Sequence, residues 1–191
     1  MERSATWTEP FSGDDDLLRR WRSGDERAFD DLFLRYYRPV YRVLQGVAGS
    51  PQEAEDLAQE TFLVLYRNPP RLESAGLGPW LYRVAADRGY NTVRSAGRAR
   101  QHIEPASHAA APINPGGELP RQEERQRVRD TLARLPEHSA RLLLLRYGGL
   151  SYAEIASALE IAPESVGTLL ARAERAFVTE YEAGQTAGRE G

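Results

Sequence analysis

The chain has no cysteine, no lysine and one methionine in 191 residues. Without cysteine there is no disulfide and no thiolate metal site, and such usage fits a reducing compartment. Its three histidines, His102, His108 and His138, are scattered along the chain. That spacing excludes a histidine metal cluster, so neither metal nor cofactor is expected. No apolar run reaches about 18 residues, which speaks against membrane insertion. The first stretch, "MERSATWTEPFSGDDD", lacks the basic start and apolar core of a secretory signal. Strand-like alternation is missing too. So are a glycine-rich phosphate loop, a nucleophile elbow and a carboxylate pair with a partnering histidine, so no enzyme chemistry is expected.

What is present is charge sorted by place. The net charge is only −3. Yet Ala48–Tyr66 holds Glu53, Glu55, Asp56 and Glu60 with no base. The next stretch, Arg67–Arg100, holds seven arginines against Glu73 and Asp87. An acidic block thus adjoins a basic one, and distribution matters more than the sum for nucleic-acid binding.

Helical periodicity runs through both halves. Phe29, Leu32, Phe33, Tyr36, Tyr37, Val40, Tyr41 and Leu44 make one apolar stripe, interrupted by Pro39. Ser50, Pro51 and Glu53 signpost the next helix as a cap, a first-turn proline and a capping box. Its inward face is Ala54, Leu57, Ala58, Thr61, Phe62 and Leu65. Its outward face carries Glu53, Asp56, Glu60 and Leu63. A third helix is expected from about Pro79 to Gly97, with Trp80, Arg83, Asp87, Asn91, Arg94 and Arg98 on one side. "QHIEPASHAAAPINPGGEL", Gln101–Leu119, reads as a flexible linker. Four more helices follow: one around Val128, Leu132 and Leu135, one on "HSARLLLLRY", one capped by Ser151 with Glu154, and one opened by Pro163. Tyr152, Ile155, Ala156 and Leu159 are the expected buried stripe of the third of these. Val166, Leu169, Leu170, Ala173 and Phe177 turn inward on the fourth. The tail "EAGQTAGREG" reads as disordered.

Three surfaces invite a function, and each has a plainer alternative. Residues 151–177 have the dimensions of a helix-turn-helix whose second helix enters a major groove. They also suit an antiparallel hairpin in a bundle, the less favoured reading. The acidic face of the 51–67 helix is either a protein-docking surface or a solvated side. The basic helix either holds a single strand by arginine and indole, or has a core of Trp80, Leu81 and Tyr82 with arginines in water.

The order of these features resembles the RNA polymerase sigma factors of the extracytoplasmic-function (ECF) group in bacteria. The matching stretches are "DLLRRWRSGDERAFDDLFLRYYRPVYRVL", "SPQEAEDLAQETFLVLYR", "GPWLYRVAADRGYNTVRSAGR" and "LARLPEHSARLLLLRYGGLSYAEIASALEIAPESVGTLLARAERAF". The resemblance implies an all-α fold of two small helical domains joined by a flexible linker. Residues 14–100 would be the region 2 domain, 101–119 the linker, and 120–181 the region 4 domain with the helix-turn-helix. It implies a cytoplasmic protein that binds core RNA polymerase, through the clamp helices of the largest subunit and the flap, and promoter DNA. An anti-sigma factor is the implied regulator.

By the same resemblance, Asp56, Gln59, Glu60 and Leu63 would dock on the polymerase, an acidic face with a small apolar anchor. The loop 68–78 would pocket an extruded base of the −10 element. Trp80, Arg83, Asp87, Asn91, Arg94 and Arg98 would hold that strand. Ser165, Thr168, Arg172 and Arg175 would read the −35 duplex. The sequence departs from the family pattern where Asp87 stands for a common asparagine, Glu160 for a common turn glycine and Leu170 for a common basic residue. Residues 121–180 carry nine arginines and nine acids, so weak, salt-sensitive duplex binding is expected of that half alone. Two rivals remain at this point: a helix-turn-helix regulator with no polymerase role, and a helical protein–protein adaptor.

Overall fold

The computed structural model describes residues 13–70, 76–102 and 118–187. Those residues form eight helices and no strand. They are α1 (Asp14–Arg22), α2 (Glu26–Gln45), α3 (Pro51–Arg67), α4 (Leu77–His102), α5 (Glu118–Arg134), α6 (Glu137–Tyr147), α7 (Tyr152–Leu159) and α8 (Pro163–Ala187). None of them is long and apolar enough to cross a membrane.

Local chemistry explains the starts. Asp25 accepts the Arg27 amide and so caps α2. The Ser50 side chain accepts the Glu53 amide, and Pro51 opens α3 with its fixed φ. Here the expected capping box is shifted by one residue: the Glu53 carboxylate takes the Gly49 amide. The full box forms at α7, where Ser151 Oγ takes the Glu154 amide at 3.3 Å and Glu154 Oε2 takes the Ser151 amide at 2.7 Å.

In the first half, α2 is the central pillar. Leu32, Tyr36, Val40 and Leu44 are fully buried along it. Each side chain of this kind contributes about 1.5–3 kcal/mol by leaving water. Phe29, Phe33, Tyr37 and Tyr41 flank the stripe half-buried, and the Phe33 ring meets Phe62 of α3 at a tilt, with centroids 4.7 Å apart. All six residues expected to face inward on α3 do so. Asp14, only 8% exposed, accepts the Tyr36 hydroxyl and pairs with Arg35 at 2.5 Å. Burial and that acid together push the Tyr36 phenol far above its ordinary value.

The second half packs α6, α7 and α8 around Leu142, Leu145, Ile155 and Val166. Tyr152 leaves the stripe assigned to it: it is 47% exposed and lies beneath Arg146, 5.6 Å from its ring, while Ala158 is buried instead. A Cβ at Gly167 would meet the Tyr152 ring at an ordinary 3.6 Å, so no close backbone approach depends on the glycine. Two helices outrun their expected ends. α4 continues past Gly97 to His102, and α8 continues past Tyr181 to Ala187 through most of the tail read as disordered. Of the expected linker, 103–117 lies outside the described residues, as do 1–12, 71–75 of the expected strand pocket, and 188–191.

One apolar cluster runs through both halves. α4 is its middle, packed by α2 and α3 on one side and by α5, α6 and α7 on the other. Glycine sets the spacing. A Cβ at Gly89 on α4 would stand 3.5 Å from Leu144 of α6 and 2.9 Å from Val47. A Cβ at Gly148, just past α6, would come within 2.9 Å of the Val43 Cα on α2.

Candidate functional site

Three surfaces follow from this arrangement. On α3, the buried face fixes the opposite one outward. Asp56, Gln59, Glu60 and Leu63 are all exposed, Leu63 at 46%. Gln52 donates to Asp56 at 3.2 Å, and the Glu60 carboxylate is held by Arg88 of α4. Glu53 leaves this group. It turns to Gly49 and toward Arg129 of α5, 3.5 Å away. The result is an acidic ridge with one exposed leucine, suited to a basic partner.

The second surface is α4, and it is graded along its length. Toward its C-terminal end, Asn91, Arg94 and Arg98 are exposed. Arg94 lies 6.0 Å from the Tyr90 ring. Arg94 and Arg98 line a cleft with Arg100, Asp130 and Arg134, about 480 Å³ in volume. Toward its N-terminal end, Trp80, Arg83 and Asp87 are half-buried. Arg83 is paired with Glu160, the residue that ends α7. Glu160 adopts φ 56° and ψ 43°, a left-handed conformation that costs a non-glycine residue about 1 kcal/mol.

Asp87 meets Arg141 of α6, with Oδ1 2.7 Å from Nε. That contact is an ion pair without hydrogen-bond geometry, since both atoms are buried and neither has a hydrogen-bonding partner. Burial pushes the Asp87 carboxyl above its ordinary value, against the opposing pull of Arg141 and Arg83. The departure at Asp87 is therefore a contact inside the molecule. Sequence reasoning missed Arg141 and Glu160 as partners of α4, because nothing in local periodicity says which distant helix covers which face.

The third surface is α8. Ser165 is half-buried near its start, while Thr168, Arg172 and Arg175 are exposed along one side. Neither arginine has an acid partner among the described residues. Leu170 is 3% exposed and belongs to the core. Its lack of charge is thus a packing matter, and it does not face a duplex in this arrangement. No group of acids and histidines able to hold a metal occurs among the described residues.

Comparison with known proteins matches residues 32–99 to the family model for sigma-70 region 2 and residues 125–177 to that for sigma-70 region 4. The RNA polymerase sigma-H factor of Pseudomonas aeruginosa is 32% identical over 176 residues, covering 86% of this chain and 91% of that protein. The ECF RNA polymerase sigma-E factor of Haemophilus influenzae is 32% identical over the same length, covering 85% and 90%. Among solved structures, CnrH in complex with the cytosolic domain of CnrY aligns with a TM-score of 0.53 and 21% identity over 90% of this chain and 98% of that one. That likeness concerns the fold.

Proposed function

This chain belongs to the ECF RNA polymerase sigma factors, and from that premise we propose a division of labour among its three surfaces. As a sigma factor it binds core RNA polymerase and directs promoter-specific transcription initiation. The observation that carries this reading is the pairing of region 2 and region 4 matches, in that order, on one chain.

Residues 14–100 act as the unit that docks on polymerase and holds the −10 strand. Asp56, Gln59, Glu60 and Leu63 face the clamp helices. Trp80, Arg83, Asp87, Asn91, Arg94 and Arg98 face the non-template strand, with arginines on phosphates and the indole available for stacking. Residues 120–181 act as the −35 reader, with Ser165, Thr168, Arg172 and Arg175 toward the duplex and the polymerase flap behind. Support for the last point is the free, exposed side of α8. The protein acts by binding and not by catalysis, in the cytoplasm where polymerase works. An anti-sigma factor is its regulator; the similar fold of CnrH was solved with the partner CnrY.

Run-off transcription with purified core polymerase and a genomic promoter pool tests the reading. Promoter-specific transcripts that depend on the added protein are expected. No such transcript, with core binding also absent, overturns it.

A further inference from the structure

We propose that the cleft between the C-terminal end of α4 and α5 is a binding site for a chain of linked phosphates. Its source is a short inorganic polyphosphate or the polyphosphate end of a nucleotide. The site stands on its own geometry. Its consequence rests on the strand reading of α4: a phosphate chain on Arg94 and Arg98 keeps the −10 strand off them, so a phosphate-rich metabolite restrains the factor.

Charge is the first observation. Arg94, Arg98 and Arg100 of α4 and Arg134 of α5 line the cleft against one acid, Asp130. Even with Glu180 counted, which pairs with Arg134 from α8, two positive charges remain in excess. Arg94 to Arg100 covers roughly 9 Å of helix at about 1.5 Å per residue. A chain of phosphates can meet guanidiniums along that length, where a single phosphate meets only the nearest.

Donor geometry is the second. Arg100 gives Nη2 to Asp130, which also accepts Gln126 at 3.0 Å. Arg134 gives Nε to the Glu180 carboxylate at 3.3 Å and Nη2 to the Glu180 carbonyl at 3.2 Å. A guanidinium carries five N–H groups in a planar fork, so these contacts orient it without using it up. Arg94 lies 6.0 Å from the Tyr90 ring centroid. The remaining N–H groups suit phosphate, which arginine binds by paired, charge-assisted hydrogen bonds.

Shape is the third. A Cβ at Gly97 would stand 3.2 Å from the Ala133 Cβ, so α4 and α5 come close at the cleft floor. The floor is small and the walls are long arginines, leaving about 480 Å³ between them. No aromatic ring among the described residues lines the cleft. A base finds no stacking platform there, and recognition falls on the phosphates.

Isothermal titration calorimetry of the full-length protein with sodium tripolyphosphate tests the site, in magnesium-free buffer at about 150 mM salt. One site is expected, at least about tenfold tighter than for inorganic phosphate. Arg134→Gln should weaken binding about tenfold. Asp130→Asn, which releases Arg100, should tighten it severalfold, a gain that a folding defect does not mimic. Arg172→Gln removes the same charge from α8 and should change nothing.

GTP and guanosine separate the sources. GTP bound as tripolyphosphate is bound shows that the chain alone is read. GTP bound more tightly, with guanosine unbound, identifies a nucleotide. Tripolyphosphate should also displace labelled oligothymidylate, with about tenfold more needed for Arg134→Gln.

Tripolyphosphate binding no tighter than phosphate, equal losses in Arg134→Gln and Arg172→Gln, or binding of guanosine alone overturns the site. The first of these, together with oligothymidylate binding lost in Arg134→Gln, would make the cleft a strand surface instead. Displacement that Arg134→Gln leaves unchanged overturns the shared use of Arg94 and Arg98. The titration needs neither polymerase nor promoter. A failure of the sigma reading would appear in run-off transcription and leave the phosphate site standing.

Discussion

The two helices proposed to face DNA differ in readiness. On α8, Thr168, Arg172 and Arg175 stand in solvent with no acid engaging the two arginines among the described residues. On α4, Arg83 and Asp87 are already taken by Glu160 and Arg141. The same side-chain chemistry is thus open in one half and covered in the other. The contrast teaches that a recognition helix cannot be judged from its own residues alone.

The sharpest way to break the comparison is to break the shared core. Leu145 on α6 is fully buried within the cluster that joins the halves. Leu145→Ala should cost about 2–5 kcal/mol. If the halves share one core, thermal unfolding remains a single transition moved to lower temperature. A first-half transition left in place would show two independent units.

Next come the surfaces. Arg172→Ala should weaken −35-dependent transcription by about 1–3 kcal/mol, or roughly 5- to 150-fold, and leave core binding unchanged. Glu60→Arg should weaken core binding, read by native gel shift with purified core enzyme. It also places a cation beside Arg88, so a melting curve of the free variant accompanies it. If both variants changed the same property, the division of labour would be wrong.

A smaller effect is expected at Ser151. Ser151→Ala removes one half of the capping box on α7 and should cost about 1 kcal/mol, a fall of about 2–4 °C in Tm. The −35 dependence of transcription should fall no more than the loss of folded protein explains.

The smallest effect belongs to Asp87. Arg141, Arg83 and Glu137 face its carboxyl, and burial outweighs the two arginines and raises its pKa above 3.8. Between the ordinary value and the raised native one, the folded state holds more proton than the unfolded state. Stability from this group is therefore lost as pH rises across that window. Asp87→Asn should flatten this part of the pH dependence of Tm. An unchanged slope would contradict the role given to burial.

Much of this was legible in the sequence because it is local. The i, i+3, i+4 stripe on α2, the six inward residues of α3 and the caps at Ser50 and Ser151 follow from short-range chemistry. The outward acids and Leu63 follow from the same periodicity, since fixing one helix face fixes the other. Tyr152 did not follow, because an amphipathic ring can leave the core and lie under a neighbouring arginine, as it does beneath Arg146. Neither did the covering of Arg83 and Asp87. Those contacts join residues 77 and 54 positions apart, and no spacing rule reaches so far. The departures at Asp87, Glu160 and Leu170 stood on an equal footing in the sequence. They are three different things: a half-buried acid, a left-handed turn residue paired with Arg83, and a core leucine.

Because all 25 Lys and Arg residues of the chain are arginine, one reagent offers a direct measurement of the central contrast. Phenylglyoxal modification of the free protein, read residue by residue by mass spectrometry, reports arginine accessibility on both helices at once. Arg172 and Arg175 should react quickly and Arg83 and Arg141 slowly. Arg83 reacting as fast as Arg172 in the free protein would contradict the account.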